Sequence, residues 1–222
     1  MNQPDAPLWR EGGVPVSPRF DDPYYSLDNG LAETRHTFLA GNGLPGRFRD
    51  GFHVAETGFG TGLNLLACLT LWRQSGAPGV LRFTSFEAFP LAPGDMIRAQ
   101  GAFPEVADAA GELAPFWHDG AREVRLRDLH FVLVEGDARD TLPPWEDRAD
   151  AWFLDGFSPA KNPELWGAAL MAEVARHTAP GGTAASYTAA GHVRRALADA
   201  GFAVERHPGY GRKRHMTVAR KI

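Results

Sequence analysis

Four short stretches of this sequence carry residue types and spacings suited to ligand chemistry. The first is Glu56-Thr57-Gly58-Phe59-Gly60-Thr61-Gly62. Glycines let a backbone come close to a ligand and take positive φ. A helix opening behind them points free N–H groups at a carboxylate or phosphate. The spacing is G-x-G-x-G, not the G-x-G-x-x-G of dinucleotide sites. Glu56, two residues before the first glycine, would repel a pyrophosphate and tolerate a cationic sulfonium or amino group. The choice between S-adenosylmethionine (SAM) and a nicotinamide dinucleotide therefore tilts to SAM, against a plain tight turn as the alternative. The second is Glu87, 25 residues after Gly62. An acid at that interval hydrogen-bonds ribose hydroxyls in nucleoside-binding sheets. The third is Gly136-Asp137, where a carboxylate can accept from an adenine amino group. The fourth is Asp155-Gly156, opening a run that reaches Trp166.

Each stretch follows an apolar run with strand character. Phe52–Glu56, Leu81–Phe89, Leu129–Glu135 and Ala151–Leu154 read as strands, and Leu63–Arg73 as a helix with Leu65, Leu66, Leu69 and Trp72 on its apolar positions. Further on, Glu164–His177 reads as a helix, Thr183–Thr188 as a strand and Val193–Ala200 as a helix stopped by Gly201. Phe202–His207 and Met216–Lys221 follow as two strands with no helix between them. Strand–helix alternation makes a parallel sheet covered on both faces. Parallel neighbours need a crossover, so the last pair is an antiparallel hairpin. The expected fold is an α/β, Rossmann-like class I SAM methyltransferase: a mostly parallel seven-stranded sheet closed by a C-terminal antiparallel hairpin. Ligands in such sheets sit beyond the carboxyl ends of the strands. Gly58, Glu87, Asp137 and Asp155 should therefore face one crevice, a register that turn chemistry alone does not explain. Residues 1–50 read as a covering segment of the same domain, with a short helix over Leu31–Ala40, and 51–222 as the catalytic unit.

The 222 residues are 44% hydrophobic and 23% charged, an ordinary globular composition. No apolar run nears the ~18 residues that span a bilayer, and the polar, Pro-rich start reads as no secretory signal, so a cytoplasmic protein is expected. Cys68 is the single cysteine, no CxxC or HExxH occurs, and the eight histidines are scattered, so no metal is expected. Gly-x-Ser-x-Gly is absent as well. Net charge is −4, but unevenly spread. Residues 194–222 hold eight basic and two acidic side chains, the remainder 15 and 25. A basic end on an acidic body suits a localized anionic partner, or else a solvated terminus. Arg194, Arg195, Arg212, Lys213 and Arg214 are the candidates for one phosphate-binding patch.

The assembled motifs resemble the tRNA 5-methylaminomethyl-2-thiouridine methyltransferases, a family found as the N-terminal half of a bifunctional protein and as stand-alone enzymes. The matching blocks are Phe20–Ser26 (FDDPYYS), Asn29–Arg35 (NGLAETR), Phe38–Asn42 (FLAGN), Glu56–Asn64 (ETGFGTGLN), Ser85–Leu91, Asp150–Trp166 (DAWFLDGFSPAKNPELW), Val193–Leu197 and Gly209–Arg214. The resemblance implies SAM-dependent N-methylation of a 5-aminomethyl group on the wobble uridine of tRNA. It places Gly58, Gly60, Gly62 and Asn64 with the cofactor, Glu87 on its ribose, and Asp155 beside methyl donor and amine. The chain ends soon after the last strand, so the FAD-dependent oxidative domain of the bifunctional relatives is not expected. The partner would be the tRNA anticodon region. Tyr24, Tyr25 and Phe157 would stack on the flipped base or else serve as core, and Lys161 joins them from the DGFSPAKNPELW block. Asp155 either accepts the amine's proton or only orients the ammonium. A small-molecule N-methyltransferase of the same fold and a non-catalytic SAM- or RNA-binding module are the rival readings.

Overall fold

A computed structural model describes residues 6–10 and 13–222. The first elements, β1 (Leu8–Trp9), β2 (Pro15–Ser17) and β3 (Asp22–Pro23), form a small antiparallel sheet in that order. Asn29 then caps α1 (Gly30–Thr34) by accepting from Ala32 N at 2.9 Å. The chain continues through a π turn (Arg35–Leu39) and a 3-10 turn (Ala40–Asn42), so the helix expected over Leu31–Ala40 is α only in its first half. Leu31, Phe38, Leu39 and Leu44 of this segment are buried in the same cluster as Phe52, Val54 and Phe153.

The main sheet alternates with helices as the patterning requires: β4 (His53–Thr57), α2 (Leu63–Ser75), β5 (Leu81–Glu87), α3 (Pro93–Gln100), α4 (Ala107–His118), β6 (Glu123–Arg125), β7 (Leu129–Glu135), α5 (Ala138–Thr141), β8 (Ala149–Leu154), α6 (Ala168–Arg176), β9 (Thr178–Ser186), α7 (Gly191–Asp199), β10 (Phe202–Pro208) and β11 (His215–Lys221). The spatial order is β10-β11-β9-β8-β4-β5-β7-β6. Strands β9, β8, β4, β5 and β7 are mutually parallel, while β10 and β11 make the antiparallel hairpin. The sheet has eight strands, not the expected seven, because Glu123–Arg125 pairs antiparallel with β7 and extends that edge. The alternation over Arg122–Arg127 marks this segment in the sequence, but only three of its residues pair.

Burial on both faces explains the near-continuous apolar strands. All five residues of β4 are buried. One core lies against α2 and α4, around Leu65, Leu66, Trp72 and Phe131; the other lies against α6 and α7, around Trp152, Met171 and Leu197. The helix expected over Glu164–His177 is interrupted: Pro163–Trp166 is a 3-10 turn and Gly167, at ψ 152°, is extended before α6 begins. The strand order reverses between β4 and β8, where a crevice opens at the carboxyl ends. Among the described residues, no helix is long and apolar enough to cross a membrane.

Candidate active site

The loops after β4, β5 and β8 are stitched to one another. Gly58, at φ 81°, donates its N–H to Phe86 O at 2.8 Å. A Cβ on Gly58 would stand 3.1 Å from Gly156 Cα, so the loop after β8 passes where a side chain would be. Thr57 Oγ1 donates to Asp155 O at 2.9 Å, tying the same two loops. Gly60, at φ 52°, donates to Glu87 Oε2 at 3.0 Å, and Phe89 N donates to Glu87 Oε1 at 2.8 Å. Burial raises the Glu87 carboxyl above its usual range, and these N–H groups oppose the rise.

Asp155 ends the fourth parallel strand and is the centre of a polar network. Its Oδ1 accepts from Gly156 N and its Oδ2 from Asn64 Nδ2, both at 2.8 Å. Asn64 Nδ2 also donates to Glu56 Oε1 at 2.8 Å, and Asn64 Oδ1 accepts from Thr34 Oγ1 at 2.7 Å. Ser85 Oγ donates to the other Glu56 oxygen at 2.6 Å. Burial pushes the Asp155 carboxyl up to about 6; the two donors and the Lys213 cation oppose it, while Glu33 adds to it. Burial likewise holds Glu56 well above the carboxylate range.

These groups border a cavity of about 610 Å³, within the range of small-molecule sites. Gly58, Gly60, Asn64, Glu87, Asp137 and Asp155 all line it. Glu56 and Gly62 do not. Glu56 is fully buried behind Asn64, and the Cβ position of Gly62 faces Phe59 and Gln100. Both act by shaping the loop, not by touching the cavity. Asp137 caps α5 by accepting from Arg139 N at 2.9 Å and pairs with the Arg139 guanidinium at 2.6 Å, which lowers its carboxyl.

The opposite wall comes from the covering segment and the end of the chain. Phe157 stacks on Phe20 at 4.6 Å and meets Tyr24 edge-on at 5.1 Å. Tyr25 also lines the cavity, with its ring edge on Phe103 and its hydroxyl on Gly13 O at 3.3 Å; burial pushes that hydroxyl up to about 12. Ser158 N donates to Asp22 at 2.8 Å. Lys161 lies outside the cavity, in an exposed ion pair with Asp21 at 2.9 Å. Of the five cations expected as one patch, Arg212 and Lys213 line the cavity. Arg194 donates to Ala189 O, and Arg195 and Arg214 are exposed and do not line it. Lys213 is paired with Glu33 at 2.5 Å. Glu33 and Tyr187, both on the wall, were not among the expected residues. Tyr187 follows β9, so the strand-end rule that picked out Asp155 applies to it equally.

The wall suits SAM: backbone at Gly58 and Gly60 comes to the surface without side chains, and carboxylates at Glu87, Asp155 and Glu33 face a space that a sulfonium and an amino group would share. No group of three or more His, Cys, Asp or Glu with metal-holding geometry occurs among the described residues.

A parallel sheet with a switch-point crevice and this strand-end set defines a SAM-dependent methyltransferase. Residues 104–222 match the S-adenosyl-L-methionine-dependent methyltransferase family, and the chain belongs to it. The particular relatives are consistent with one another. The tRNA 5-methylaminomethyl-2-thiouridine biosynthesis bifunctional protein MnmC of Caulobacter sp. (strain K31) is 45% identical, over 99% of this chain and 39% of that protein. The protein of the same name from Pseudomonas aeruginosa (strain UCBPP-PA14) is 47% identical over 94% of this chain and 34% of its own length. The chain thus spans little more than a third of the curated relatives it matches. The crystal structure of MnmC2 from Aquifex aeolicus superposes with a TM-score of 0.77 at 26% identity, covering 99% of this chain and 71% of that one.

Proposed function

We propose that this protein methylates the primary amine of a 5-aminomethyl-(2-thio)uridine at the wobble position of tRNA, giving the 5-methylaminomethyl nucleoside. The cytoplasm is its site of action and the anticodon region its partner. The observation that carries this reading is Asp155, held by Asn64 and Gly156 on a cavity whose far wall adds Glu33 and a Phe20–Phe157–Tyr24 aromatic group. Carboxylates receive an ammonium, and aromatic faces receive an extruded base. The relatives' name describes biosynthesis of the same nucleoside.

SAM supplies an electrophilic methyl group when bound. Gly58 and Gly60 would offer it side-chain-free backbone, Glu87 would hold the ribose and Asp137 the adenine amino group. Asp155 handles the amine. An alkylammonium has a pKa of roughly 10, and the Asp155 carboxyl stands at about 6. Moving the proton from one to the other climbs about 4 pKa units, roughly 5 kcal/mol. A turnover on the order of one per second allows a total barrier of about 17 kcal/mol, so proton acceptance by Asp155 fits within it. The test is transfer of tritium from methyl-labelled SAM to tRNA lacking this methyl group, with the labelled nucleoside identified by chromatography. Label in 5-methylaminomethyl-(2-thio)uridine is expected. Label only in small molecules would turn the reading to a small-molecule N-methyltransferase, and no transfer to a binding module.

A further inference from the structure

Glu33 sits in the first turn of α1 with 7% of its surface exposed, and it lines the cavity. The cation that meets it comes from the loop between β10 and β11. Lys213 Nζ donates to Glu33 Oε1 at 2.5 Å and stands 4.1 Å from the centre of the Tyr187 ring. Tyr187 is fixed in turn, its hydroxyl donating to Gly156 O at 2.7 Å, one residue beyond Asp155. A carboxylate on one side and an aromatic face on the other form a recognition site for an organic ammonium. The group seated there is a primary ammonium on a methylene stem, the same chemical group as a protonated aminomethyl substituent. Lys213 keeps 39% of its side chain exposed, so it has a way out toward solvent.

The geometry points to Glu33 and the Tyr187 ring as the seat that admits the substrate's ammonium beside Asp155, ahead of its proton's transfer there, filled in the free protein by Lys213, which withdraws when the substrate amine enters. This rests on the tRNA reading for the identity of the amine, but not for the existence of the seat. The exchange has a physical purpose. A buried carboxylate left without a cation is costly, and Lys213 supplies that cation to Glu33 until another arrives. A uridine with a neutral 5-substituent brings no cation and cannot replace Lys213 without stranding Glu33. Discrimination then lies in the swap of one ammonium for another.

Two measurements on Lys213→Met test this, with Lys213→Gln as the second variant should the first not fold. In the first, thermal unfolding is followed with n-butylammonium chloride against potassium chloride at equal ionic strength. The alkylammonium should stabilise Lys213→Met selectively, and neither the wild type, whose seat is filled, nor Glu33→Gln/Lys213→Met, whose seat has lost its carboxylate. No selective stabilisation of Lys213→Met would overturn the seat. In the second, KM for tRNA carrying the aminomethyl group should fall at least threefold in Lys213→Met, while affinity for tRNA with an unmodified wobble uridine stays the same. Equal weakening for both tRNAs with a flatter salt dependence would make Lys213 a phosphate contact instead. If n-butylammonium stabilises the variant but the wild type methylates no tRNA, the seat stands and the tRNA reading fails.

Discussion

The cavity has two walls, and they are built differently. The sheet wall stands on the ends of β4, β5, β7 and β8, where Gly58, Glu87, Asp137 and Asp155 are fixed by the register of parallel strands. Its ties are backbone hydrogen bonds, such as Gly58 N to Phe86 O and Gly136 N to Glu87 O. The covering wall is held by side chains reaching across long chain separations. Asp22 receives Ser158 N, Lys213 reaches Glu33, and His36 Nε2 lies 2.9 Å from Pro208 O. The lesson is a division of labour. On the proposed function, the sheet wall would carry the methyl donor and the tethered wall would recognise the amine and its base.

That division makes separable predictions. The largest effect belongs to the sheet wall. Gly58→Val forces a β-branched residue to φ 81° and a Cβ to within 3.1 Å of Gly156 Cα. The strain lowers stability by ~1–3 kcal/mol, and because relieving it displaces the backbone that faces the donor, SAM affinity should fall at least tenfold with circular dichroism unchanged. Unaltered affinity in calorimetry would remove the donor from that wall. On the covering wall, Phe157→Ala should raise KM for tRNA by about tenfold, in keeping with ~1–3 kcal/mol per stacked base, and leave SAM affinity alone. A loss of SAM affinity instead would merge the two walls into one function. The smallest effect is in pH dependence, at the point where the walls meet. Burial raises the Asp155 carboxyl to about 6. Its ionised form is the one that receives the amine, so kcat/KM should be lost as pH falls through about 6. If Asp155 takes the proton, the profile is level above that point. If it only orients the ammonium and water takes the proton, kcat/KM climbs on toward the amine's own range.

The two walls also differ in how far the sequence discloses them. Strand ends are legible because an apolar run followed by Gly or an acid marks both the element and its exit, which is why Glu87 and Asp155 are found where the pattern puts them. Glu56 obeyed the same pattern yet lies beneath the cavity: it pairs with Ser85 and Phe153, two residues short of Glu87 and Asp155 on the same face, and Asn64 covers it. Glu33 lies in a short helix with no apolar periodicity to orient it, and its partner Lys213 is 180 residues away. Lys213 lay within a basic run, where charge counting groups it with Arg212 and Arg214. Only the fold separates a cation facing a buried carboxylate from its solvated neighbours. The edge strand β6 lies within Arg122–Arg127, whose alternation is visible in the sequence, but with three paired residues and one buried side chain it is too short to be counted apart from the strand that follows.

Asp155 is where both walls converge, and the single-turnover rate of methyl transfer in Asp155→Asn, with SAM and aminomethyl-bearing tRNA both saturating, tests the account most directly. The substitution keeps the shape and an acceptor oxygen while removing the charge. Both ligands should still bind, and the rate should fall at least ~100-fold, as for a lost acid–base or orienting group. A rate near that of the wild type would contradict the assignment of the amine to Asp155.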